Sequence, residues 1–359
     1  MGKVKKKIAI VGAGIFGCTL SLILSKKYDV DLYERKPDIL NEASMCNQLR
    51  YHEGFHYPRS LATLKEIKKS NIDFINFYGK DLFGKTKNLY AVSKYQSKTN
   101  FKKYLAFLKK NELSYKIKKL DEIVSNKIEG LIESNEQNLN YFKFKKRISE
   151  LLKKSSVNIK LNSQLDRYIL RYNNYDQLII ATYKNNNSVL SKLGFNIKNK
   201  FRYELVEKII VKLPKKYKNL SIVVLDGNFI CIDPYLGTSY HLISHVRHSK
   251  LKVINSLYPK FPKKYDKKLI QTKVIDLKSS KFNYFIKDGS KYLPFLKYSK
   301  YIFSYFVVRT IKYNVEKTSE RTNLVNKINK NIITIMSGKW NTCVTEAYKI
   351  EKKLSKILR

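Results

Sequence analysis

Between Arg50 and Arg59 the chain reads Arg-Tyr-His-Glu-Gly-Phe-His-Tyr-Pro-Arg, which places two arginines, two histidines and two tyrosines within ten residues. A guanidinium group presents paired N–H donors that match a carboxylate or phosphate, so Arg50 and Arg59 are candidates to clamp an anion. An imidazole titrates near neutrality, which makes His52 and His56 candidate bases. The plainer alternative is a polar loop whose side chains bond their own backbone. Further along, Tyr235, His241, His245 and Arg247 could cover a bound substrate. His241 and His245 lie four apart, on one face of any strand that carries them, but two histidines without a third ligand make a poor metal site and no metal is expected.

A second set of residues would bind phosphate. Gly12, Gly14 and Gly17 in Gly-Ala-Gly-Ile-Phe-Gly follow the apolar stretch Lys7–Val11 and precede a second apolar stretch, Cys18 to Lys26. This pattern predicts a strand, a tight turn and a helix, followed by a strand over Asp29–Tyr33. Gly12 permits the sharp turn, Gly14 lets backbone approach a pyrophosphate beside Ile15 and Phe16, and Gly17 lets helix and strand pack closely. Glu34 stands 22 positions after Gly12 (34 minus 12), at the end of the second strand, where its carboxylate can accept hydrogen bonds from a ribose. Three lysines ahead of an apolar run also suggest a secretory signal. The run ends without a small-residue cleavage site, however, and glycines divide it too early for a membrane span, so no transmembrane segment is expected.

The 359 residues include 72 Lys and Arg against 29 Asp and Glu, a formal charge of +43. The excess is mostly lysine spread along the whole chain beside many asparagines and isoleucines. No helix-turn-helix, finger or RNA-binding signature accompanies it, so a nucleic-acid partner is not expected. Cys18, Cys46, Cys231 and Cys343 lie far apart without metal-ligand spacing and read as free thiols of a reducing, cytoplasmic compartment.

Apolar spacing predicts helices over Ser60 to Tyr78, Asn100 to Lys110, Tyr141 to Lys154 and Asn341 to Leu358. Short strands are expected at 89–93, 157–161, 176–182 and 331–336. From Phe201 to about Thr310 the period shifts to alternation, with strands over 205–213, 221–225, 229–232, 239–245 and 303–311 and a hairpin turn at Asp226-Gly227-Asn228. The fold class is therefore α/β (α+β, two-lobed), with a Rossmann-like lobe and a mostly antiparallel substrate lobe. The expected nucleotide lobe comprises 1–93, 141–200 and 325–359. A helical insertion, 94–140, and a substrate or cap lobe, 201–324, are interleaved with it.

In three places the sequence resembles the FAD-dependent oxidoreductases of the D-amino-acid oxidase and glycerol-3-phosphate dehydrogenase superfamily. These are the glycine turn with Glu34, the stretch Ala43-Ser44 and Asn47 leading into Arg50–Ser60, and Ser337-Gly338-Lys339-Trp340-Asn341-Thr342. The Arg50–Ser60 stretch and residues 226–249 are more like a subgroup met in bacterial surface-polysaccharide gene clusters. The resemblance implies FAD as cofactor, held by Gly12, Gly14, Ile15, Phe16, Gly17, Glu34, Arg35, Ser44, Asn47, Arg50, Thr182, Gly338, Lys339, Trp340 and Asn341. It implies hydride transfer from a small amine, amino acid or hydroxylated substrate, among them anionic and sugar-linked ones. His56, Arg59, Lys339, His52 and Tyr235 are then the catalytic candidates, with Lys339 beside the charge that develops on reduced flavin; a histidine of the Arg50–Ser60 stretch could also tether the flavin. Tyr183 departs from the pattern, standing where such proteins usually carry glycine. A flavin isomerase such as UDP-galactopyranose mutase, which also begins Gly-Ala-Gly-Ile-Phe-Gly, and a non-catalytic basic binding protein stay open as alternatives.

Overall fold

The computed structural model describes residues 5–164, 174–314 and 320–358. Strand β1 (Lys7–Val11), helix α1 (Ile15–Leu24) and strand β2 (Asp29–Tyr33) open the chain. Every residue of α1 is buried, since both its faces are covered. The strands β1 and β2 pair in parallel, Val11 opposite Tyr33. They lie in a six-stranded sheet ordered Leu324–Lys327, Ile332–Met336, Gln177–Ile180, β1, β2, Asn158–Lys160, parallel except at its first pair. The C-terminal helix Cys343–Ile357 returns to pack on α1, bringing Cys343, Val344 and Ala347 into the same core. α1 begins three residues earlier than expected. Gly14 is its N-cap, so Gly17 lies inside the helix.

The second lobe is a ten-stranded sheet. Its order is Lys273–Val274, Lys300–Lys312, Phe201–Lys212, Tyr240–His245, Ile230–Tyr235, Leu220–Leu225, Lys87–Ser93, Ile128–Ser134, Tyr115–Lys118, with Lys250–Ser256 also paired to Phe201–Lys212. The hairpin at 226–228 joins Leu220–Leu225 to Ile230–Tyr235. Two expectations are corrected here. The strand near 89–93 belongs to this sheet, not to the nucleotide lobe, because it pairs in parallel with Leu220–Leu225. The stretch 94–140 is not purely helical: after helix Phe101–Lys110 it supplies two strands to this sheet and a third, Gln137–Leu139, to a small sheet with Arg50–Tyr51 and Phe83–Gly84. That small sheet fixes the base of the Arg50–Ser60 stretch. Among the described residues no helix is long and apolar enough to cross a membrane, and all four cysteines are free.

Candidate active site

A cleft runs between the two sheets in two joined chambers of about 210 and 270 Å³, which share Gly14, Ala43, Ser44, Ala181, Tyr183 and Val308. The first chamber lies over the glycine turn. Gly12 has φ +101°, and a Cβ there would stand 2.8 Å from the Ala181 carbonyl oxygen. A Cβ on Gly17 would stand 1.8 Å from the Gly12 oxygen, so helix and turn touch backbone to backbone. Gly14 differs: the one atom near an added Cβ is Ser44 Oγ at 3.3 Å, and its open side faces the cleft. Gly14 offers α1 no side-chain cap and no acid lies in its first turn, where the neutral Ser44 hydroxyl meets Ile15 N–H. The partial positive charge of that helix end is therefore left for an anion.

Glu34 lines this chamber and is already oriented, Oε2 accepting from Ala13 N–H at 2.9 Å and Oε1 from Lys36 N–H at 2.9 Å. Arg35 does not reach into the cleft alone. It donates to Glu42 at 2.6 Å, and Lys184 holds the other Glu42 oxygen at 2.6 Å, closing an ionic bridge beside the chamber. Burial alone would raise the Glu42 carboxyl, but Lys184 and Arg35 hold it at about 2. Ser44 Oγ accepts from Ile15 N–H at 3.2 Å. Asn47 organises the loop itself, donating to Ser44 O at 2.7 Å and accepting from Leu49 N–H at 2.7 Å. Thr182 lines the chamber with both its N–H and hydroxyl donating to Asn186 Oδ1 at 2.9 Å. Ile15 and Phe16 line the second chamber.

The second chamber gathers Gln48, His52, Val206, Lys208, Arg309, Arg321, Lys339 and Trp340 from both lobes. Burial, with Lys339 nearby, pushes His52 well below the ordinary imidazole value and His56 to about 3, so both rings are neutral at neutral pH. Their centroids lie 5.6 Å apart. Among the described residues neither Nδ1 has a hydrogen-bond partner. His52 lines the cleft, while His56 stands behind it against Tyr57 and Tyr90. The Lys339 amine lies 4.4 Å from the centre of the Tyr57 ring, and burial lowers it to about 7.

Several expected site residues have other roles. Arg50 borders the second chamber, but its guanidinium is spent on a buried cluster: Nη2 donates to Asp233 at 2.8 Å and Ser221 at 2.5 Å, and Nη1 lies 3.4 Å from Glu136. Arg59 lies outside the cleft lining and grips Asp226 through Nε at 2.6 Å and Nη2 at 3.1 Å. Tyr235 is buried against Phe142 and also lies outside the lining. Gly338 does line the cleft, but its N–H donates to Asn323 Oδ1 at 2.8 Å, and a Cβ would stand 1.9 Å from the Arg321 carbonyl oxygen. Its smallness admits the segment that carries Arg321. Asn341 is buried away from the cleft, donating to Asn71, which in turn holds the His52 carbonyl. His241 donates from Nε2 to Tyr217 O at 2.9 Å, and Arg247 is exposed. His245 meets His248 and Asp288, but its Nδ1 accepts from the Arg247 and His248 N–H groups, an arrangement that opposes metal ligation through the other nitrogen.

Sequence reasoning missed Lys208, Arg309, Arg321 and Gln48. Lys208 follows Glu207 between the apolar pairs Leu205-Val206 and Ile209-Ile210 of the strand Phe201–Lys212, which was the available signal. It donates to Gln48 Oε1 at 3.0 Å, and burial together with Arg309 lowers it to about 8.

The chain matches no family model. It is 26% identical over 257 residues to the FAD-dependent monooxygenase kojA of Aspergillus flavus, covering 65% of this chain and 59% of that protein. It is 27% identical over 126 residues to the FAD-dependent monooxygenase FPY4 of Fusarium mangiferae, covering 35% of this chain and 34% of that one. The chain thus spans less than two thirds of the curated relatives it matches. Solved structures superpose over nearly the whole length. Glycine oxidase from Geobacillus kaustophilus does so with a TM-score of 0.71 at 10% identity, covering 98% of this chain and 94% of that one. L-α-Glycerophosphate oxidase from Mycoplasma pneumoniae with FAD bound gives 0.72 at 16%, covering 97% and 94%. L-Proline dehydrogenase from P. horikoshii gives 0.73 at 11%, covering 98% and 94%. The chain shares their fold. The two-lobed α/β expectation holds, and so does the resemblance at the level of fold.

Proposed function

We propose that this chain is a FAD-dependent oxidoreductase that takes a hydride from the C–H beside an amine or hydroxyl in a small anionic substrate, a sugar-linked one included. The observation that carries the reading is the continuity of the cleft. One end has the chemistry to hold an adenosine diphosphate, and the other collects a neutral imidazole, His52, and cations between two lobes. Relatives and fold neighbours named for FAD or for oxidation of amino acids and glycerophosphate support it.

The residues present fit the cofactor. The open N-terminus of α1 with Gly14 would hold the pyrophosphate, Glu34 the ribose, and the Met336–Trp340 segment with Lys339 the ring system. When bound, the flavin supplies the hydride acceptor. The protein's part is binding, orientation and proton handling. Lys208 and Arg321 make the second chamber cationic beside Arg309, whose guanidinium is paired with buried Glu204, while Glu320 on the lining is paired with Lys312, so a substrate carboxylate or phosphate is drawn to that end. His52, neutral and on the lining, would orient the substrate nitrogen or oxygen, and Lys339, which burial holds at about 7, is the group beside it that would take up the leaving proton. The Arg50 cluster and the Asn341–Asn71 chain hold the backbone that carries His52.

The test is spectroscopic. The purified protein is expected to carry, or take up, one FAD per chain. Anaerobic addition of an amino acid or a phosphorylated polyol is then expected to bleach the bound flavin, while neutral counterparts do so poorly. A protein that neither contains nor binds FAD overturns the proposal.

A further inference from the structure

The ten-stranded sheet ends in the two-residue edge strand Lys273–Val274. Around it the chain makes an excursion closed by a hydrogen bond from Lys268 Nζ to Ser279 O. Within that excursion Ile270 is 77% and Ile275 71% exposed, the two most exposed large hydrophobic side chains among the described residues, and Leu277 is exposed as well. Three exposed aliphatic side chains within eight residues, flanked by polar ones, are the kind of concentration that marks a contact surface.

The surrounding charge says what could. From residue 260 to 281 there are eight lysines and two aspartates, and six of those lysines are exposed. Lysine is common throughout this chain, so charge alone singles out nothing. The combination of exposed lysines along the stretch with protruding aliphatic side chains matches an interface that is anionic outside and apolar within, which describes the headgroup boundary of a bilayer. A β-strand partner fits poorly, because the edge offers two residues and begins with an exposed lysine. We propose that the 268–279 turn docks the protein on an anionic membrane, seating Ile270, Ile275 and Leu277 among the headgroups while the lysines meet the lipid phosphates. The docking is peripheral and independent of the cofactor reading.

The experiment is co-sedimentation of the full-length protein with vesicles of phosphatidylcholine alone and of phosphatidylcholine containing a quarter phosphatidylglycerol. Binding is expected to the anionic vesicles only, to weaken with added salt, and to fall by about tenfold or more in Ile270→Glu/Ile275→Glu. That variant should melt as the parent does, since both side chains are solvent-exposed. Failure of the parent to bind overturns the proposal. So does undiminished binding by the variant, which would assign the attraction to diffuse charge. Sedimentation velocity without lipid covers the remaining occupant: self-association abolished by the variant would make the turn an interface between copies and overturn the membrane assignment.

Discussion

Tyr183 and Thr310 bond each other twice across the cleft: the phenol donates to Thr310 O at 2.9 Å, and Thr310 N–H donates to the phenol oxygen at 3.0 Å. Tyr183 does so from φ +54°, the left-handed region that accounts for the glycine usual at this place in the proteins it resembles. A tyrosine there accepts backbone strain, and its side chain ties the lobe of the six-stranded sheet to the strand Lys300–Lys312.

Tyr183→Phe should keep the ring and lose both bonds, lowering stability by about 1–2 kcal/mol in urea unfolding. Tyr183→Gly removes strain and tether together and should loosen FAD retention more than the phenylalanine variant does. Unchanged unfolding of Tyr183→Phe would show that the tether holds nothing.

Two glycines of one turn should behave oppositely. Gly17→Ala drives a Cβ into the Gly12 carbonyl, so the helix and strand must separate and the fold should be lost or severely weakened. Gly14→Ala meets little but the Ser44 hydroxyl, so the cofactor-free protein should melt within a few degrees of the parent. Its FAD affinity should nevertheless fall by about tenfold or more, because the methyl stands where the pyrophosphate must approach. Fluorescence titration of FAD against both melting curves checks the pair.

Arg50→Met separates a structural from a substrate-clamping role. With the guanidinium gone, Asp233 and Glu136 remain buried without their cation, and stability should drop by about 3–5 kcal/mol. A clamp would give the reverse: wild-type unfolding with a raised KM for anionic substrates.

The parts of the molecule legible in the sequence were those whose cause is local. The glycine spacing, the alternation of Leu205–Leu213 and the helical apolar period of Ser60–Tyr78 each report on neighbours in the chain, and each element formed. The candidate site was harder, because a side chain's task there depends on partners far away in sequence. Arg50 looked free beside His52, yet Asp233 stands 183 residues on and occupies it. Lys208 looked like one more lysine in a lysine-rich chain until the strand pairing turned it into the cleft. The strand Lys87–Ser93 was misplaced for the same reason, since its parallel partner Leu220–Leu225 is a long-range choice.

Lys339 makes the sharpest prediction about pH. Burial holds its ammonium down to about 7, against about 10.4 for an ordinary lysine. Between those values the unfolded chain binds a proton that the folded chain has shed, so stability should rise with pH across that window. Below it both states are protonated and the full cost of the buried charge is present. His52 and His56 are also lowered by burial, but their contributions fall below the ordinary imidazole value of about 6.5, so the two windows separate. Lys339→Met, similar in length and uncharged, should therefore be more stable than the parent just below neutrality, converge with it towards pH 10, and lose that part of the slope. In the FAD-loaded protein the same variant should lower the midpoint potential of the bound flavin, because a cation beside the reduced ring is gone. A variant with the parent's pH profile and the parent's potential would place the Lys339 charge away from both the core and the flavin.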